Sequence, residues 1–137
     1  MIVLDTHVLI WAVGGDRRLG ETARGAIQDS MRTDRAAVSA ITPWEIAMLV
    51  EKGRLRLGRE VRSWIDDALA LPGIFLAPIE PAVAIDSVRL PGAFHADPAD
   101  RFIVSTARQF DAPVITADRA ILAYAAAGHV RAMNATA

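Results

Sequence analysis

The chain has 137 residues, 53% of them hydrophobic, and a formal net charge of −1. That length suits one domain over 1–137 with a substantial buried core, and the composition excludes a disordered chain. The absence of cysteine excludes disulfides, thiolate metal sites and cysteine nucleophiles, and no apolar run is long enough to cross a bilayer.

Ile2-Val3-Leu4 is a short apolar run ending at Asp5, as in a buried parallel strand. Residues 6–13 carry apolar side chains at helical spacing, broken by Gly14-Gly15. Asp5 and His7 interrupt this apolar start. With no basic leader or small-residue cleavage site, it does not read as a signal peptide, and a cytoplasmic location is expected. Glu21 to Met31 predicts a helix, and residues 36–39 a second strand. Thr42-Pro43-Trp44-Glu45 reads as a helix start, with Thr42 as cap, proline in the first turn and Glu45 closing a capping box. That helix stops near Gly53.

Residues 59–71 predict an amphipathic helix closed by Pro72-Gly73. Ile74 to Ile79 is a third strand, and 81–90 a helix ended by Pro91-Gly92. Asp97-Pro98-Ala99-Asp100 opens a helix to about Phe110. Residues 113–116 form a fourth strand, Asp118 starts a helix to Ala126, and His129 to Met133 suits a fifth, edge strand. Alternating strands and helices predict an α/β fold, a three-layer α/β/α sandwich around a mostly parallel sheet of four or five strands.

Open parallel sheets bind ligands beyond the carboxyl ends of their strands. Asp5 ends the first strand, and Asp118 follows the fourth. Glu45 lies in the first turn of the helix after the second strand. Asp100 lies in the first turn of its own helix and can face the same crevice. Each has an ordinary structural explanation except Asp5: Glu45 completes a capping box, Asp100 favours a helix dipole, and Asp118 caps a helix. A carboxylate closing a Val-Leu strand gains little structurally, which points to function.

Four carboxylates in one cleft repel one another, and no cluster of lysines answers them. Mg²⁺ or Mn²⁺, which prefer oxygen ligands, would resolve the conflict. The chemistry expected is hydrolysis of a phosphodiester by an activated water, with no covalent protein intermediate.

These residues sit in segments that resemble the PIN-domain family, specifically the VapC-type toxins of bacterial toxin–antitoxin pairs. The segments are Asp5-Thr6-His7-Val8-Leu9-Ile10-Trp11, Ser39 through Trp44-Glu45-Ile46-Ala47, Lys52-Gly53-Arg54-Leu55, His95-Ala96-Asp97-Pro98-Ala99-Asp100-Arg101 and Thr116-Ala117-Asp118. They follow the family's order over essentially the whole chain. The resemblance implies a Mg²⁺- or Mn²⁺-dependent endoribonuclease, a homodimer, and a small VapB-type antitoxin as partner. It makes Asp5, Glu45, Asp100 and Asp118 the acidic quartet, with Thr6 and Thr116 as hydroxyls orienting the ligands. Asp97 is an additional acid, read as a helix cap and left outside the quartet. Ala99 departs from the bulkier residue common there.

Lys52 is the only lysine among 15 basic residues. With Arg54, Arg56, Arg59 and Arg62 it forms a cluster that can guide an RNA backbone, or stay solvated and pair with Glu51 and Glu60. Lys52, Arg54 and Arg56 are the candidate RNA contacts. Arg101 and Arg119 read as surface or ion-pair residues. His7 and His95 read as structural, and His129 as without a role. The tryptophans read as core or interface, and apolar surface on 6–13 and 43–50 as a dimer interface.

A phosphatase with Asp5 as nucleophile wants a second aspartate where His7 stands. A receiver domain wants a lysine where Thr116 stands. A nuclease acting on DNA shares the cleft chemistry, and a non-catalytic binding module would not need all four carboxylates.

Overall fold

Ile2, Val3 and Leu4 alternate between two faces, and both faces are covered. Strand β1 (Ile2–Leu4) is therefore buried throughout. Ile2 and Leu4 enter one core and Val3 the other. The computed structural model describes all 137 residues. With β2 (Ala36–Ser39), β3 (Ile74–Ala77), β4 (Val114–Thr116) and β5 (Ala132–Asn134), β1 forms a sheet of order β3-β2-β1-β4-β5. Every pairing is parallel, and Leu4 stands between Val38 and Ile115.

The first core receives Val8 and Leu9 from α1 (Thr6–Gly14), Ala23 and Ile27 from α2 (Glu21–Met31), and Ile46 from α3 (Ile41–Glu51). Trp64 and Ala68 of α4 (Val61–Leu69) complete it. The second receives Ile103, Val104 and Ala107 from α6 (Pro98–Phe110), and Ile121 and Tyr124 from α7 (Arg119–Ala126). Between β3 and α6 runs α5 (Pro81–Val88), tied to α6 by the Ser105 hydroxyl, which donates to the Val83 carbonyl at 2.7 Å. This is the expected three-layer arrangement, with five strands, all parallel. No helix is long and apolar enough to cross a membrane.

Several boundaries differ from expectation. The third strand stops at Ala77, the fifth begins at Ala132, and α4 starts at Val61 because Glu60 caps it, accepting from Arg62 N and Ser63 N. Thr42 and Glu45 do not form a capping box. Ser39 Oγ, at the end of β2, accepts from Ile41 N at 3.1 Å, so the helix begins before Thr42. The buried Thr42 hydroxyl instead pairs with that of Thr6 at 3.0 Å.

The chain winds outward through β1, β2 and β3, then returns to the other side of β1 for β4. Strand order thus reverses between β1 and β4. A crevice opens at their carboxyl ends, where ligands bind in sheets of this kind.

Candidate metal centre

Asp5 leaves β1 at that crevice and is only 2% exposed. One carboxylate oxygen accepts from Thr6 N at 2.8 Å and so caps α1. The other accepts from the Thr116 hydroxyl at 2.6 Å. The same Thr116 oxygen accepts from Asp118 N at 2.9 Å, tying the turn after β4 to the acid after β1. Sequence reasoning gave Asp5 no structural role, and the cap corrects that: the residue anchors a helix as well as facing the cleft.

Asp118 caps α7, its Oδ1 accepting from Ala120 N and Ile121 N. Asp97 caps α6 by accepting from Asp100 N at 3.0 Å. A cap residue and the residue three positions later lie close together on the first turn, so Asp97 and Asp100 reach the cleft as a pair. Glu45, on the second turn of α3, reaches the same cleft. Asp5, Thr6, Glu45, Asp97, Asp100 and Asp118 all line one cavity of about 440 Å³.

Ligand atoms of Glu45, Asp97 and Asp100 lie within 4.8 Å of one another, as do those of His95, Asp100 and Asp118. Asp100 belongs to both groups. Asp97 and His95 are therefore part of the cluster, although sequence reasoning kept Asp97 outside it and read His95 as structural. His95 Nδ1 accepts from Asp97 N at 3.2 Å, which leaves Nε2 to donate to Asp100 Oδ2 at 3.1 Å. In the same way Ala117 N donates to His7 Nε2 at 3.0 Å, so the Nδ1 proton of His7 faces Asp5 Oδ2 at 3.6 Å.

Burial first, and neighbouring acids second, raise the pKa values of Asp5, Glu45 and Asp100. Burial and the charges of Asp5, Asp118, Asp97 and Glu45 push Asp100 up to about 8. Burial first, then Asp5, Asp97 and Asp118, raise Glu45, while the Thr6 hydroxyl beside it acts the other way. Burial also raises Asp5, against the His7 ring, the Thr116 hydroxyl and Thr6 N–H. Carboxylates held close enough to resist ionisation fit a hard divalent cation. The donors are mostly carboxylate oxygens, and no sulfur competes.

Two arginines reach the same cavity, Arg54 and Arg18. Arg18 was not anticipated. It pairs with Asp16 at 2.7 Å and stacks on Trp11 with its guanidinium carbon 4.7 Å from the ring centre. Only the fold reveals this, because the chain must turn back after α1 to bring residue 18 there. Lys52 and Arg56 are exposed and do not line the cavity. Arg59 and Arg62 pair with Asp67 and Asp66 rather than with Glu51 and Glu60, since Glu60 is occupied in capping α4. Arg101 is not a surface residue. It donates to the carbonyls of Ser87, Phe94 and His95 at 2.8 to 3.0 Å and so fixes the loop that carries His95.

A parallel sheet with a cluster of acids at its switch point defines an α/β protein whose clustered carboxylates could hold a metal ion. Residues 2–127 match the PIN domain family, and the chain belongs to that family. It is 36% identical over 118 residues to Ribonuclease VapC22 of Mycobacterium tuberculosis, covering 86% of this chain and 87% of that protein. Its fold is similar to VapBC2 from Rickettsia felis, solved bound to a DNA fragment from its promoter, with TM-score 0.70, 16% identity and 98% of each chain covered. It is also similar to a toxin–antitoxin complex from Klebsiella pneumoniae, with TM-score 0.53, 20% identity, and 86% and 87% of the two chains covered.

Proposed function

We propose that this protein is a metal-dependent endoribonuclease, the toxin of a toxin–antitoxin pair. The observation that carries the reading is the shared cavity of Asp5, Glu45, Asp97, Asp100 and Asp118 at the switch point of the sheet. The relationship to a named ribonuclease over most of the chain supports RNA as the substrate.

Asp5, Glu45, Asp100 and Asp118 would hold Mg²⁺ or Mn²⁺. A divalent ion bound there lowers the pKa of water and offsets charge developing on a phosphoryl group. The protein does the positioning. Thr116 orients Asp5, Thr6 lies beside Glu45, and His95 holds one oxygen of Asp100. Arg54 and Arg18 are placed to meet a phosphate, with Lys52 and Arg56 further out along the strand.

The partner is a small VapB-type antitoxin, and both act in the cytoplasm. Likeness to a toxin–antitoxin complex supports this pairing. A second copy of the chain forms a homodimer over the apolar surface left on α3, where Trp44 is 51% exposed. On α1, Ile10, Trp11 and Ala12 pack against the core, so that helix offers less surface than its sequence indicates.

The test is incubation with structured RNA and with DNA of the same sequence, each with Mg²⁺ or Mn²⁺, with and without chelator. RNA cleavage that chelator stops, and that Asp5→Asn abolishes, is expected. Cleavage insensitive to chelator would overturn the metal requirement, and cleavage of DNA alone would reassign the substrate.

A further inference from the structure

Across His95 from the acidic cleft lies a second cavity, of about 370 Å³. Phe94, His95, Tyr124 and His129 line it, together with Ala120 and Ala123 of α7. The four rings form a continuous run. Centroids are 4.4 Å apart from His95 to Phe94, 4.7 Å from Phe94 to Tyr124 and 4.7 Å from Tyr124 to His129.

This lining is held in place. The Tyr124 hydroxyl donates to the Pro91 carbonyl. Arg101 fixes the carbonyls of Phe94 and His95. Gly92 lets the backbone close on the His129 ring, since a Cβ there would stand 2.8 Å from Nε2. Beside Tyr124, α7 adds only the small side chains of Ala120 and Ala123, both exposed. Tyr124 is buried in the second core, while His95 is exposed and Phe94 and His129 are half-buried, so the run of rings opens to solvent at these three.

Position gives the slot its meaning. His95 lines it and also contacts Asp100, and its ligand nitrogen lies within 4.8 Å of the Asp100 and Asp118 oxygens. The second cavity therefore lies one residue, His95, away from the acidic cleft, within reach of a base next to a phosphate held there. No carboxylate, lysine or arginine lines it, so it suits a flat, uncharged ring better than a sugar-phosphate.

We propose that this slot is a nucleobase subsite, taking one unstacked base of the RNA strand whose phosphate occupies the acidic cleft. The inference rests on the nuclease reading and sharpens its substrate: the strand must be single-stranded or looped beside the cleaved bond. Base stacking on protein aromatics is sequence-tolerant, so the slot selects for an unpaired base more than for its identity.

The experiment compares wild type with Ala123→Trp, an exposed helix position where a large ring fills the slot without entering the core. Amide NMR spectra with Mg²⁺ are recorded on adding adenosine 5′-monophosphate and, separately, ribose 5-phosphate. The expected result is that the nucleotide alone shifts Ala120, Ala123, Ala127 and His129 signals, and that Ala123→Trp abolishes those shifts. Cleavage of a loop-containing RNA should fall about five- to hundredfold in kcat/KM in the variant, in line with the loss of one stacked base. Shifts on α7 that ribose 5-phosphate reproduces, or that persist in the variant, overturn the subsite. RNA cleavage unchanged within twofold also overturns it and leaves the nuclease reading intact. A protein that cuts no RNA but shows the base-dependent shifts supports the subsite and overturns the nuclease reading.

Discussion

Thr116, the last residue of β4, donates its hydroxyl proton to Asp5 at 2.6 Å while accepting from Asp118 N at 2.9 Å. One hydroxyl thus sets the distance between two acids that lie 113 positions apart in sequence. Thr116→Val keeps the shape and removes the bond, leaving a buried carboxylate oxygen and an amide without this partner. Stability should fall by about 1–3 kcal/mol. Divalent-ion affinity should fall about 10- to 100-fold, as for lost groups that orient metal ligands. Thr116→Ser should restore most of both. Calorimetric Mn²⁺ titration of the three proteins checks this, and equal affinity in Thr116→Val would remove Thr116 from the design of the site.

Gly73 offers a contrast, a position that matters to the fold and not to the chemistry. Its φ is +92°, and a Cβ would stand 2.1 Å from the Met31 carbonyl oxygen. Its own carbonyl accepts from Ala36 N, so it sets the start of the β2–β3 pairing. Gly73→Ala combines backbone strain with a backbone clash, and should cost at least about 1–3 kcal/mol. Thermal unfolding should show the loss, while Mn²⁺ affinity of the folded fraction stays at the wild-type value. A melting temperature equal to that of wild type would contradict the close approach.

The sheet was legible because its strands are short, apolar and punctuated. Ile2-Val3-Leu4 before Asp5, and Val114-Ile115-Thr116 after Pro113, read as strands without any tertiary information. The capping box at Thr42 failed because Ser39, a residue of the preceding strand, reaches the first amide of α3. Local pattern cannot see that competition. Asp5 was legible as a site residue, but its cap on α1 was obscured by its place directly after an apolar strand. The pairing of Asp97 with Asp100 was available from the helix start at Pro98, where a cap and the residue three later are neighbours. Arg18 and His129 gave no signal, because turns of the chain after a helix, and not a local side-chain pattern, bring each to its cavity.

Trp44 lies on α3 with half its surface in water, beside Glu45 of the acidic cleft. An exposed tryptophan on a helix that also presents partly exposed Ala47, Met48 and Val50 points to a covering partner outside the sheet. If a second copy covers it, Trp44→Glu places a charge in an apolar contact and should yield a monomer with an unchanged circular dichroism spectrum. Light scattering after size exclusion measures this. A variant that keeps the wild-type mass would place the dimer contact elsewhere.

Asp100 links metal binding to pH. Burial and four neighbouring acids raise its carboxyl to about 8 from an ordinary value of 3.8. Between those values the folded, metal-free chain holds a proton that the unfolded chain has released. This group therefore contributes stability that falls as pH rises through the window. A divalent ion needs the ionised carboxylate, so its affinity should rise from pH 6 to pH 8, and binding should release protons. Asp100→Asn keeps an acceptor for His95 and removes the charge. In the absence of metal it should melt higher than wild type at pH 8, with a shallower decline from pH 5, and it should bind Mn²⁺ weakly at every pH. Melting curves and titrations across that range provide the check. A wild-type pH slope in the variant would place the resisting proton on another acid of the cluster.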